Sequence, residues 1–156
     1  MGTPHSQPLP AEQLCLIAAE AAKRRRTQRQ RRGRRPGQYV TREDRVRDIL
    51  EVLTRHEWPS ARPPWLVNPK TGKRMEIDCF CEALKTGVEV DGAQHFAYSQ
   101  HMHKSRDAYR RQQARDHMKD QLCAALGYTL IRVPPRSQLD DSQLAWFLAK
   151  QLGRRI

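Results

Sequence analysis

Two short stretches carry the residues whose types and spacing point to chemistry. From Met75 to Cys81 the chain alternates, with Ile77, Cys79 and Cys81 on one face and Glu76, Asp78 and Phe80 on the other. Lys85-Thr86-Gly87 reads as a turn. Val88 to Asp91 alternates again, with Val88 and Val90 opposite Glu89 and Asp91. Each expected strand therefore aims carboxylates along one side. On a covered sheet face such a row is costly unless something positive sits among it. A divalent metal is the simplest answer, and Mg2+, with Mn2+ as its substitute, takes hard oxygen ligands. Asp78 and Glu89 are the candidate metal ligands, with the Val90 carbonyl as a further one. Asp91-Gly92 ends the strand and places Gln94 and His95 at its mouth. The competing reading is an edge hairpin whose acids face water.

The positive charge lies mostly elsewhere. The chain of 156 residues carries a formal net charge of +12, with a pI near 10.2 and a mean hydropathy of -0.85. Such an excess calls for an anionic partner, most often nucleic acid. Up to Gln38 there are nine Lys and Arg against Glu12 and Glu20, a net of +7. Arg24, Arg25, Arg26, Arg31, Arg32, Arg34 and Arg35 belong to this run, which reads as a phosphate-binding arm, a nuclear import signal that an import receptor would read, or both. Arg115, farther along, is a further phosphate-binding candidate. No apolar run of about 18 residues exists, so no membrane partner is expected. Nothing at the N-terminus reads as a signal peptide. The four cysteines form no CxxC pair, and Cys79 and Cys81 fit as small buried hydrophobes in a reducing compartment. The expected location is intracellular, in the cytoplasm or the nucleus or nucleoid. A homodimer is compatible with this composition.

The elements that must position these residues follow in order. Residues 1–38 form a basic, largely disordered tail with a short helix over Ala11 to Ala22, and residues 39–156 form the folded domain, divided at Arg35-Pro36-Gly37. Thr41 opens a helix whose apolar stripe is Val46, Ile49, Leu50 and Leu53. Glu43 borders that stripe, and compensation of the helix dipole accounts for it by itself. Trp65-Leu66-Val67 is a short strand and Asn68 to Lys73 a hairpin turn. His95, His101 and His103 lie in a loop whose spacing matches no familiar zinc pattern. Arg106 to Leu126 is a long helix that places Asp116, Lys119 and Asp120 on one face, as a local salt bridge or as groups turned toward the metal. Gly127 ends it, Tyr128 to Val133 is a strand, and Asp140-Asp141-Ser142 caps a last helix with Leu144, Phe147, Leu148 and Leu152 inward.

Taken together, Ile77-Asp78-Cys79-Phe80, Val88-Glu89-Val90-Asp91-Gly92-Ala93-Gln94-His95, Arg115-Asp116-xx-Lys119 and Gly127-Tyr128-Thr129-Leu130-Ile131-Arg132 resemble the PD-(D/E)XK nuclease superfamily, in its very-short-patch repair endonuclease-like branch. The resemblance covers roughly residues 41–133. It implies an α/β restriction-endonuclease-like core, a small mixed sheet of a three-stranded antiparallel meander plus a further strand, flanked by helices. It implies that Asp78 and Glu89 bind the metal, that Glu43 lies near it, and that His95 and Asp116 support the site. Asp91 stands where the superfamily has its lysine, so Gln94, His95 or Lys119 must supply that function. The implied activity is Mg-dependent hydrolysis of DNA phosphodiester bonds, by nicking or double-strand cleavage. The alternative is a catalytically inactive nuclease fold that binds nucleic acid.

Overall fold

The computed structural model describes residues 9–31, 40–90, 105–134 and 139–153. They form two compact units, Met1–Trp58 with Gln138–Ile156, and Pro59–Ser137.

The first unit is helical. Helix α1 spans Ala11–Arg31 and packs on α2 (Arg42–Thr54) and α4 (Asp141–Leu152), which also pack on each other. Thr41 caps α2 reciprocally: its hydroxyl accepts from Asp44 N at 3.0 Å, and its own N–H donates to the Asp44 carboxylate at 3.2 Å. Asp140 and Gln143 repeat the arrangement on α4. Leu14 and Ala21, two turns apart on α1, are buried together with Val46, Ile49, Leu50, Val52, Leu144, Leu148 and Leu152. Trp58 is fully buried, and its indole N–H donates to Thr54 Oγ1 at 2.8 Å.

This unit corrects two sequence expectations. The helix expected over Ala11 to Ala22 runs to Arg31, and the compact unit it belongs to extends to Trp58 and takes in the C-terminal helix. The basic run is also partly structural. Arg25 pairs with Asp48 on α2 at 3.4 Å and with Asp141 on the first turn of α4, and Arg24 pairs with Glu51 at 3.0 Å. Arg45 completes the cluster by donating to Asp141 at 2.8 Å and to the Leu139 carbonyl at 2.7 Å. Acids on two other helices neutralise charges that would repel one another on an isolated arm. Arg24 and Arg25 are therefore engaged by the fold, Arg26 is exposed, and the side chain of Arg31 and all of Arg32, Arg34 and Arg35 lie outside the described residues.

The second unit holds the sheet. Strands β1 (Cys79–Cys81) and β2 (Thr86–Val90) are antiparallel, with Cys79 opposite Val88 and Cys81 opposite Thr86. Helix α3 (Arg106–Ala125) leads to β3 (Thr129–Val133), which pairs with β2 in parallel, Glu89 beside Arg132. A mixed sheet was expected, but its antiparallel meander is reduced among the described residues. The segment expected to be a strand at Trp65 to Val67 contributes one bridge, Val67 to Arg74, and Ala61 bridges Ile77. The turn between β1 and β2 is made by Glu82 to Lys85, and Thr86 and Gly87 belong to β2. Gly87 has no room for a side chain: a Cβ there would lie 2.9 Å from Ile77 Cγ2 and 3.1 Å from Leu130 Cδ1. Helix α3 ends as expected at Gly127, with φ +78°, where Tyr128 N–H donates to the Cys123 carbonyl at 2.8 Å and Gly127 N–H to Ala124 at 3.2 Å. Leu66, Met75, Ile77, Phe80 and Cys123 form the core, against which Met118 and Leu122 pack. Trp65 stacks on Tyr128 at 4.4 Å between ring centroids.

Two predictions concern the helical unit. Arg25→Ala leaves the Asp48 carboxylate, 5% exposed, without its cation, and should cost on the order of 3 kcal/mol in urea unfolding, whereas Arg26→Ala should change stability by less than about 0.5 kcal/mol. Burial pushes the Asp48 carboxyl from 3.8 up to about 6, with Arg25 opposing the shift. The neutral acid is thus favoured in the folded state, and its stabilisation is complete below 3.8 and lost as pH rises through about 6. Asp48→Asn should remove that decline, so the unfolding midpoints of wild type and variant should diverge between about pH 4 and about pH 8.

Candidate active site

The register of β1 on β2 fixes the site. Cys79 faces Val88, so Asp78 and Glu89 follow as neighbours at the open end of the ladder. Asp78 lies at the bend before β1, where the alternation expected from Met75 to Cys81 breaks: Ile77 packs in the same core as Phe80. The Asp78 carboxylate accepts from Val90 N–H at 2.8 Å, which ties it to the end of β2. Glu89 is buried, its side chain 6% exposed, and Lys119 of α3 donates to its Oε1 at 2.8 Å. The Lys119 side chain is only 14% exposed. The ion pair is thus largely removed from water.

The electrostatics follow from that burial. Desolvation pushes Glu89 from 4.5 up to about 7, and the nearby Asp78 charge adds to the rise; Lys119 and, more weakly, Arg132 oppose it. Arg132, beside Glu89 on β3, donates to the Asp120 carboxylate at 3.1 Å and to the Asp116 carbonyl at 3.1 Å. Arg132 and Asp120 therefore frame the pair together with Lys119. Arg132 was legible in principle, as the one charged residue in a strand otherwise made of apolar and threonine residues. Burial pushes the Cys123 thiol up to about 11, which excludes it as a nucleophile near neutral pH.

Of the residues expected at the site, Asp78, Glu89, Val90 and Lys119 come together. Asp116 lies on α3 one turn before Lys119, half-buried, and its backbone is held by Arg132. Glu43 belongs to the helical unit, where it accepts from Arg47 at 2.5 Å, an i,i+4 pair on the first turn of α2. Gln94 and His95, like Asp91, His101 and His103, lie outside the described residues. Among the described residues no three His, Cys, Asp or Glu side chains converge. The donor set nevertheless fits Mg2+, which keeps several waters and is commonly held by one or two carboxylates together with substrate phosphate. Asp78 and Glu89 would supply two hard oxygen donors to such an ion.

The chain is similar to three viral proteins. Uncharacterized protein 033L of invertebrate iridescent virus 3 is 42% identical over 95 residues, which cover 61% of this chain and 49% of that protein. Uncharacterized protein 307L of invertebrate iridescent virus 6 is 48% identical over 79 residues, 47% of this chain and 40% of its own length. Uncharacterized protein 094L of frog virus 3 (isolate Goorha) is 39% identical over 89 residues, 56% of this chain and 57% of its own. The chain spans about half the length of these relatives. No family model matches it, and no solved structure does.

Replacing Lys119 with Met keeps the volume and removes the cation. Ionised Glu89 is then buried without its partner, and stability should fall by on the order of 3 kcal/mol at about pH 8 but by much less at about pH 5, where Glu89 is protonated. The double variant Lys119→Met/Glu89→Gln should recover most of the loss at the higher pH. Equal destabilisation at both pH values would show that packing, not charge, explains Lys119.

Proposed function

We propose that the protein is a metal-dependent endonuclease that hydrolyses DNA phosphodiester bonds at the Asp78–Glu89 pair. The observation that carries the reading is the geometry of three groups: the Asp78 carboxylate held to the end of β2, and beside it the buried Glu89, touched at 2.8 Å by a lysine from the next helix. This is the acidic pair with a cation that the PD-(D/E)XK resemblance calls for, except that the lysine comes from α3 while Asp91 occupies its usual place.

In this reading Asp78 and Glu89 hold Mg2+ or Mn2+, with the Val90 carbonyl as a further donor. When bound, the metal lowers the pKa of a water and offsets charge growing on the scissile phosphate. Val90 N–H fixes the Asp78 carboxylate, and Lys119 keeps Glu89 aligned and largely ionised above about pH 7. Lys119 also stands where it can orient the attacking water. Arg132 balances Asp120, so that Lys119 is left to Glu89. His95, which lies outside the described residues together with Gln94, is proposed to move a proton to or from the leaving oxygen. The exposed basic residues supply sequence-independent affinity for DNA. The proposed location is intracellular, where DNA is accessible.

The test is incubation of the purified protein with supercoiled plasmid, with and without Mg2+ or Mn2+. Relaxed or linear product that depends on the metal is expected, lost in Asp78→Asn by at least about a hundredfold, while DNA affinity stays equal or rises because a negative charge facing phosphate is gone. Retarded but uncut plasmid in every metal would establish the inactive DNA-binding alternative. Deleting residues 1–38 is not a clean test of the basic segment, because it would remove Arg25 and α1 from the helical unit.

A further inference from the structure

We infer that the turn after Val67 and the middle of α3 form a phosphate subsite for a nucleic-acid strand, held by Lys73, Arg74 and Arg115. The inference rests on the nucleic-acid reading above and adds to it where the strand runs. A cavity of about 320 Å³ opens between the turn and the helix, and Lys73, Arg74, Arg115 and Lys119 line it together with Asn68 and Glu76.

Three cations converge on this cavity without an acid of their own among the described residues. Lys119 is committed to Glu89. Glu76, the acid on the wall, is paired with Arg62 at 3.0 Å. Lys73, Arg74 and Arg115 are exposed and have no ion pair among the described residues. Arg24, Arg25, Arg45, Arg47, Arg55, Arg62 and Arg132 all have one. Three uncompensated cations around one concavity repel each other, and an anion relieves that repulsion. Two of them are guanidinium groups, whose fork of donors matches phosphate oxygens.

The turn is also built to hold its place. Asn68 is buried and its Oδ1 accepts from Lys70 N–H at 2.9 Å. Its carbonyl accepts from Gly72 N–H at 2.8 Å, and its own N–H donates to the Lys73 carbonyl at 2.9 Å. Gly72, at φ +68°, provides the left-handed residue the turn requires. The Val67–Arg74 bridge then fixes the backbone of Arg74. Lys119 lies on the cavity wall and on Glu89 at once, so a strand with one phosphate in the cavity passes directly beside the acidic pair. That continuity is why the ligand is assigned as a polymer backbone, not a free anion.

The experiment measures binding without chemistry. Affinity of the full chain for labelled duplex and single-stranded oligonucleotides is followed against salt in the absence of divalent metal. Lys73→Gln and Arg115→Gln should each weaken binding uniformly across sequences and lower the slope of log K against log salt by about one, and the double variant by about two. Lys85→Gln/Lys150→Gln removes the same charge from exposed positions elsewhere and should leave the slope nearly unchanged. Circular dichroism and thermal melting check that the folds match. An unchanged slope in the double variant, or an equal fall in the control pair, would overturn the inference. Inorganic phosphate, added at constant ionic strength, should displace the oligonucleotide only weakly; complete displacement at low millimolar concentration would make this a free-anion site and also overturn it. Because no arm requires cleavage, the subsite can stand even where the plasmid assay finds no nuclease activity.

Discussion

A carboxylate buried beside a second carboxylate is the constraint around which the sheet unit is arranged. Glu89 sits in the middle strand of a three-stranded sheet, opposite Arg132 of β3, with its side chain only 6% exposed. Removing an ionised carboxylate from water costs several kcal/mol unless a partner compensates. Lys119 is that partner, and it can reach Glu89 only because α3 crosses the same face on its way from β2 to the parallel strand β3. The crossover is therefore both topology and electrostatics. A parallel neighbour requires a connection long enough to contain a helix, and the helix delivers the cation. Gly87, two residues before Glu89, leaves the space into which Ile77 and Leu130 pack beneath it.

The helical unit solves a different charge problem with the same chemistry. Arg25 is 11% exposed and bridges acids from two helices, so a strongly basic sequence is not by itself a measure of the charge offered to partners. Several arginines are already neutralised by acids of their own unit. What remains for an anion is more local than the net charge implies, and in the sheet unit it lies around the Asn68–Arg74 turn and α3.

The likeness to iridescent-virus and frog-virus proteins is strong in identity yet covers about half of each relative's length, and those relatives are themselves uncharacterized. In the sheet unit itself, the acidic pair and the basic cavity meet at Lys119.

The sequence by itself determined the pieces whose causes are local. The capping residues Thr41 and Asp140 fixed two helix starts, Asn68 to Lys73 formed its turn, and Gly127 ended α3. Each depends on spacing or on backbone preferences within a few residues. Tertiary structure alone decided which charges meet. Nothing local says that Lys119, thirty residues on, lands on Glu89, or that Arg25 finds Asp48 and Asp141. The basic run reads as a self-repelling arm because its neutralising acids lie on helices distant in sequence. The antiparallel meander reads as three strands because alternation cannot tell a continuous ladder from isolated bridges. Ion pairs and strand partners are long-range choices, set by which surfaces burial brings together, and a linear pattern does not contain them.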